Sequence, residues 1–414
     1  MSDRLSTSPS TSRTTVSRRG LAFRGLPFTP RRVAALLGCL LLLAPPLYLS
    51  SFWLQTGLFA MVAVIAAIGL NLLVGTAGQL SLGHAFFLAV GAYGYTWLAD
   101  DSHRSGTTQL SGVGLPPLVA FLAAVMLAGV AGAAFSPMSG RLRGMYLGVA
   151  TLALIFFGHH AMLNAESYTG GFNGRSVPEM EILGLSLGDA ADGLTVLGVP
   201  FGGLERLWYF GLLLVAIAAW AARNLLRGRP GRALGALRDS EVAAAVMGVP
   251  ASRFRAAAFT VSSMYAGAAG ALLALASQRV VPDYFGLLLS MDMLAMIVIG
   301  GLGSVAGAAA GAVFVSVLPQ LLAHYSHAIP LIVAAGSAEP GLGSADAARF
   351  LYGAALVLTL VFAPGGLVGV RGGWAGRRLV PPWRRRPAAA PVPSPSPTSA
   401  GVSTGGDTLK EHTP

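Results

Sequence analysis

The chain has 414 residues, 54% of them hydrophobic and 11% charged, against the roughly one quarter charged that is usual for soluble domains. With apolar runs long enough to cross about 30 Å of hydrocarbon spread along most of its length, it excludes a soluble enzyme and leaves no room for a separate soluble domain of ordinary size. The net charge of +11 comes from arginines gathered at the termini and in short loops, the distribution of the positive-inside rule, so it reports orientation in a lipid membrane and no nucleic-acid partner.

Residues 1–31, rich in Ser, Thr and Arg, read as a disordered cytoplasmic N-terminal segment. A membrane domain is expected over residues 32–370, starting with an apolar run at 33–48 that Pro45 and Pro46 end or kink. Cys39, the one cysteine, lies in this run, so a single chain forms no disulfide and no cysteine-based metal site. Residues 53–74 make a second span and 85–98 a third. Between them Gly75, Thr76, Gly78, Gln79, Ser81, Gly83 and His84 interrupt the apolar pattern. Unpaired backbone in hydrocarbon is costly, so non-helical chain at membrane depth occurs only inside protein or beside a watery cavity. The interruption therefore reads in two ways: a tight turn between ordinary spans, or a broken helix along a transport pathway.

Residues 99–116, with Asp100 and Asp101, suit the outer side. The chain then crosses back at 118–135 to Arg141 and Arg143, and out again at 145–162 to its longest polar loop, 163–206. That loop is acidic through Glu166, Glu179, Glu181, Asp189, Asp192 and Glu205. A span at 207–222 returns to the most basic internal loop, 223–255, and spans at 256–276, 287–300, 305–322 and 348–362 follow. The expected fold is all-α: a polytopic membrane helical bundle of about ten transmembrane helices with both termini cytoplasmic. Residues 371–414, basic and then Pro/Ser-rich, read as a disordered cytoplasmic tail.

Within the basic loop, Asp239 or Ser240 is placed to cap a short helix that carries Glu241 in its first turn and is stopped by Gly248 and Pro250. Ala243, Ala244 and Ala245 leave one side small enough to dock into another protein's groove; the other reading is a solvated loop. Gly303, Gly307 and Gly311 have the small-x-x-x-small spacing of closely packed membrane helices. Asp292 is either an intramembrane functional charge or an interfacial charge at a helix end. Thr169 and Asn173 lie in a Gly-rich outer loop that either touches a partner or is a plain turn. His84 is either a substrate contact or a helix-end hydrogen-bonding residue, and no nucleophile–base or metal-ligand set points to an intramembrane enzyme.

The stretch GLNLLVGTAGQLSLGHAFFLAVGAY, from Gly69 to Tyr93, resembles the signature of the branched-chain amino-acid ABC transporter permease family. Glu241, Ala243, Ala244 and Gly248 stand at the E-x-A-A-x-x-x-G spacing of the coupling-helix loop of ABC importer permeases, and 144–152 and 169–174 resemble the LivM-type subunit more than its LivH-type partner. The resemblance implies a permease that moves branched-chain or related amino acids across the bacterial plasma membrane. It implies as partners a second, LivH-type permease, two cytoplasmic ATPase subunits and an extracytoplasmic substrate-binding protein. This chain would bind no cofactor, ATP being used by the ATPase subunits; independently, the lone lysine, Lys410, lies in the tail and leaves no P-loop. On this reading Asn71, Gly75, Thr76, Gly78, Gln79, Ser81, Gly83 and His84 form a substrate pathway, and Asp239, Glu241, Ala243, Ala244 and Gly248 couple to the ATPase. Asp292, Thr169 and Asn173 are further pathway or interface candidates. The competing class, an ion-coupled secondary transporter or channel, needs titratable groups deep in the spans, for which Asp292, His159 and His160 are the candidates.

Overall fold

Apolar stretches in lipid satisfy their backbone groups internally only as helices or closed barrels, and these stretches, rich in Ala, Leu and Val, are helical. The computed structural model describes residues 42–367 apart from 106–107, 143, 183–184, 188–194, 197–198, 201, 327–331, 334–341 and 364. The expected N-terminal segment, Cys39, most of the span at 33–48, Arg143 and the tail 371–414 lie outside the described residues.

The principal helices are α1 (Ser51–Asn71), α2 (His84–Ala99), α3 (Pro117–Arg141), α4 (Met145–Asn164), α5 (Gly203–Arg227), α6 (Arg229–Asp239), α7 (Glu241–Val246), α8 (Ala251–Ser277), α9 (Leu287–Gly300), α10 (Val305–His324) and α11 (Ser344–Phe362). Among the described residues, seven helices are long and apolar enough to cross a bilayer: α1 with its extension to Thr76, α3, α4, α5, α8, α10 and α11. Helices α2 and α9 have 16 and 14 residues. At 1.5 Å per residue they reach only about 24 and 21 Å, short of the roughly 30 Å of a hydrocarbon core. The protein is thus a multi-pass helical bundle.

Helix α8 packs against α1, α2 and α3, while α1 also contacts α5 and α10, and α11 closes the other side against α9 and α10. Helix α1 is buried on all sides, with Leu54, Leu58, Ile65, Ile68 and Leu70 at 1% exposure or less. Helix α11 instead shows Phe350, Val357, Leu358 and Phe362 outward, as expected of a helix facing lipid or another membrane subunit. Where α2 crosses α8, Gly91 rests on the backbone of Gly267, and Gly270 rests on the Leu88 carbonyl, so an added Cβ would strike main chain. The expected small-residue ladder is partly redrawn. Gly307 and Gly311 do bring α10 onto the backbone of α9, but Gly303 belongs to the turn between those helices, with φ of 80°.

One end of the bundle carries the long connections 100–116, 165–202 and 278–286, in which the described strands are two or three residues long and pair two by two. The pair Arg175–Ser176 with Arg279–Val280 ties the 165–202 connection to the end of α8. Arg175 is fully buried there: its Nε and Nη2 donate to Asp100 Oδ2 at 3.1 and 2.7 Å, and its Nη1 donates to the carbonyls of Ser111 (2.7 Å) and Tyr168 (3.1 Å). The other end carries α6 and α7, where the sequence suggested a single short helix in a long loop.

Candidate functional site

The site is built where α1 stops being an ordinary helix. Its last residue, Asn71, is buried and uses both ends of its amide: Nδ2 donates to the Ser304 carbonyl at 3.0 Å, and Oδ1 accepts from the Gly303 amide at 2.8 Å. The next turn, Leu72–Thr76, widens to a π-helix, a form that recurs at functional sites in membrane and soluble helices alike. Gly75 sits so tightly against Asn71 Oδ1 and the Gly303 amide that no side chain fits, and its carbonyl accepts a hydrogen bond from the Arg238 guanidinium of α6. Gly78 takes a left-handed φ of 68° beside the Arg238 side chain, a conformation glycine adopts without strain.

From 77 to 83 the chain is not helical; Gly78 and Leu80 are exposed, while Ala77, Gln79, Ser81 and Gly83 are buried against the bundle. The Leu82 amide donates to Thr151 Oγ1 of α4 at 2.9 Å, and the Ala85 amide donates to Ser290 Oγ of α9 at 3.1 Å. Ser290 precedes Gly300, the last residue of α9, by ten residues, about 15 Å along that helix at 1.5 Å per residue, and it is the turn after Gly300 that Asn71 and Gly75 touch. The segment therefore turns at Gly75–Gly78 and runs back into the bundle beside α9 before α2 begins. It is re-entrant backbone held by side chains of α4, α6 and α9, the kind of non-helical chain that lipid tolerates only when protein encloses it. Gly83 contributes by closeness: a Cβ there would come within 2.9 Å of the Thr151 carbonyl.

Several polar side-chain atoms of this segment are buried without being satisfied. Thr76 Oγ1, both amide atoms of Gln79, Ser81 Oγ and His84 Nε2 have no hydrogen-bond partner, although Gln79, Ser81 and His84 are no more than 5% exposed. Each such atom costs about 1–3 kcal/mol when left dry. A strip with several donors and acceptors has a use for water or for a polar solute.

At the same end of the bundle, Ser240 caps α7 by accepting from the Ala243 amide at 3.3 Å. Asp239 is the last residue of α6, not the cap. Glu241 pairs with Arg255 of α8 at 3.1 Å, and Gly248, with φ of 78°, lets the chain leave the helix. Ala244 faces inward and is fully buried, whereas Val242, Val246 and Met247 are 77%, 84% and 67% exposed beside the exposed Ala243 and Ala245. The outward face is thus larger and more apolar than the alanine side the sequence suggested. Arg238 was missed by sequence reasoning, as were these apolar residues. No local pattern marks an arginine whose acceptor lies 163 residues away.

The remaining candidates are scattered. Asp292 lies in the second turn of α9, not at its end, and accepts a hydrogen bond from the Tyr352 hydroxyl of α11. Thr169 is turned inward: its hydroxyl donates to the carbonyls of Met162 and Ala165 at 2.6 and 2.9 Å and accepts from the Gly171 amide. Asn173 is exposed, and its carbonyl receives the Arg279 guanidinium. His159 lies 3.7 Å from Asp283 and His160 contacts Asn164, so neither joins Asp292.

Residues 53–360 match the model of a family described as branched-chain amino acid transport system / permease component. The chain is 30% identical over 322 residues to the high-affinity branched-chain amino acid transport system permease protein LivM of Salmonella typhimurium, covering 74% of this chain and 68% of that one. It is 29% identical over 342 residues to the protein of the same name from Escherichia coli, covering 79% and 72%. A stretch of 127 residues, 29% of this chain and 36% of the relative, is 35% identical to the autoinducer 2 import system permease protein LsrC of an Enterobacter species. No solved structure matches the chain.

Proposed function

We propose that this chain, which belongs to the family of branched-chain amino-acid transport permeases, is the LivM-type membrane subunit of an ABC importer for branched-chain or related amino acids in a bacterial plasma membrane. It works with a LivH-type permease, two ATPases that hydrolyse the ATP and an extracytoplasmic binding protein, and both of its termini are cytoplasmic. The observation that supports this reading best is the hydrogen bond from Arg238 to the Gly75 carbonyl. It joins the helices at one end of the bundle to the re-entrant segment with its unpartnered polar groups.

The coupling follows from that bond. Val242, Val246 and Met247 form the apolar face on which an ATPase docks. Helices α6 and α7 meet at Ser240, so a push on α7 passes into α6 and through Arg238 to the π turn of α1. A hydrogen bond to a charged group contributes about 1.5–3 kcal/mol, enough to shift a two-state equilibrium by roughly one to two orders of magnitude. When the segment moves, Thr76, Gln79, Ser81 and His84 offer donors and acceptors to a zwitterion leaving water.

The test is uptake of radiolabelled leucine into proteoliposomes that hold this chain with two ATPases, a second permease and a substrate-binding protein of the same transporter type. Uptake should require ATP. Val246→Glu should release the ATPases on purification, while Arg238→Gln should keep them bound and lower uptake about tenfold, the loss of one charged hydrogen bond. Uptake driven by a proton or sodium gradient without ATP would replace this reading with the ion-coupled one.

A further inference from the structure

A cavity of about 300 Å³ lies among α1, α9, α10 and α11, near the lower bound of the roughly 300–1,000 Å³ typical of small-molecule sites. Phe59, Val62, Met296 and Val315 make its wall apolar. Four polar side chains also line it: Asp292 of α9, the neutral hydroxyl of Ser316 on α10 and, one helical turn apart on α11, Arg349 and Tyr352. The Tyr352 hydroxyl donates to Asp292 Oδ1, and no described residue donates to Oδ2. Arg349 stands within electrostatic reach of both groups, and its other described partner is the exposed Asp346 at 2.9 Å. Ionisable groups within membrane helices are expensive and mark functional sites. An acid and an arginine beside an apolar wall call for a ligand with complementary features.

Such a ligand has an ammonium for the carboxylate, a carboxylate for the guanidinium fork and an aliphatic body for the wall. A phospholipid answers Arg349 and the wall but sets its phosphate against Asp292; a simple cation answers Asp292 alone. The cavity lies close to the re-entrant segment, because Leu88, one turn into the helix that follows it, is part of the wall. We propose that this cavity is a binding site for a free α-amino acid with an aliphatic side chain, its ammonium on Asp292 and its carboxylate on Arg349. The inference rests on the permease reading and adds a place where the cargo is held within this chain.

The experiment measures binding of tritiated L-leucine to the purified full chain in lipid nanodiscs. Saturable binding is expected, displaced by isoleucine and valine but not by leucinamide, which lacks the carboxylate, or by 4-methylpentanoate, which lacks the ammonium. Asp292→Asn and Arg349→Gln should each weaken binding about tenfold or more, the effect of one lost charge-assisted hydrogen bond. Ala63→Phe, which fills the cavity and leaves both charges in place, should abolish binding; Ala63 lies on the cavity wall. Each variant is compared at an unchanged gel-filtration profile and melting temperature. Failure of the wild-type chain to bind leucine saturably, or binding indifferent to Asp292→Asn and Ala63→Phe, overturns the proposal. A co-purifying phospholipid that leucine does not displace and that Arg349→Gln releases overturns it too, marking a lipid groove. The same variants in the ATP-driven assembly separate the two readings. Normal uptake by Asp292→Asn and Ala63→Phe overturns the site and leaves the permease standing, whereas leucine binding to a chain whose assembly transports nothing overturns only the importer.

Discussion

Arg175, among the long connections, and Gln79, Ser81 and His84, at the break after α1, are all buried, yet they treat their polar atoms in opposite ways. Arg175 spends its guanidinium on Asp100 and two carbonyls and is 1% exposed. Gln79, Ser81 and His84 are no more than 5% exposed and, with the half-buried Thr76, leave five side-chain atoms without partners. A satisfied buried group has its value in the fold itself, since its removal strands the partner. An unsatisfied one weakens the fold and is kept for what comes to meet it. The contrast separates scaffold from machinery without reference to any relative.

The sharpest test of the scaffold side is Arg175→Met. It leaves Asp100 short of its charge partner and the Ser111 and Tyr168 carbonyls short of a donor, so unfolding free energy should fall by about 3–5 kcal/mol in reversible denaturation from mixed micelles. A loss below about 1 kcal/mol would mean that water replaces the guanidinium and that the two regions do not differ in kind. Next in size is Asn71→Leu. This residue borders the re-entrant segment but is fully satisfied, so it should behave as scaffold. The Gly303 amide and Ser304 carbonyl would lose their partners, at a cost of about 1–3 kcal/mol, in the same denaturation measurement.

How far these roles were legible in the sequence depends on how local their causes are. Helices at nine of the expected apolar runs, the break after α1 and the stop at Gly248 follow from residues that neighbour one another, through hydrophobic length, glycine and proline. Helix α6 escaped notice because its basic, glycine-containing sequence RPGRALGALRD is a poor helix former alone; Leu234 and Leu237 dock it. The phase of α7 was misjudged because six residues do not set their own orientation, and burial of Ala244 does. The Arg175–Asp100, Arg238–Gly75 and Tyr352–Asp292 pairs span 75, 163 and 60 residues, and only the packed bundle brings them together. Unpartnered atoms have no sequence signature at all, since a glutamine looks the same whether or not it is bonded.

Gln79 gives the smallest expected change in stability and for that reason the most telling one. Its amide is buried to 5% exposure and meets no donor or acceptor, so Gln79→Met removes a desolvated polar group and keeps nearly the same length and volume. Truncating a satisfied buried amide would be destabilising; here unfolding free energy should stay within about 0.5 kcal/mol of the parent or rise. ATP-driven leucine uptake should nevertheless fall about tenfold, the net effect of one hydrogen bond that forms only when water or cargo enters. If Gln79→Met instead destabilised the chain as strongly as Asn71→Leu, the amide would be satisfied in the membrane and the segment would belong with Arg175. If stability and uptake were both unchanged, Gln79 would be enclosed without being used, and the passage would run along Thr76, Ser81 and His84 alone.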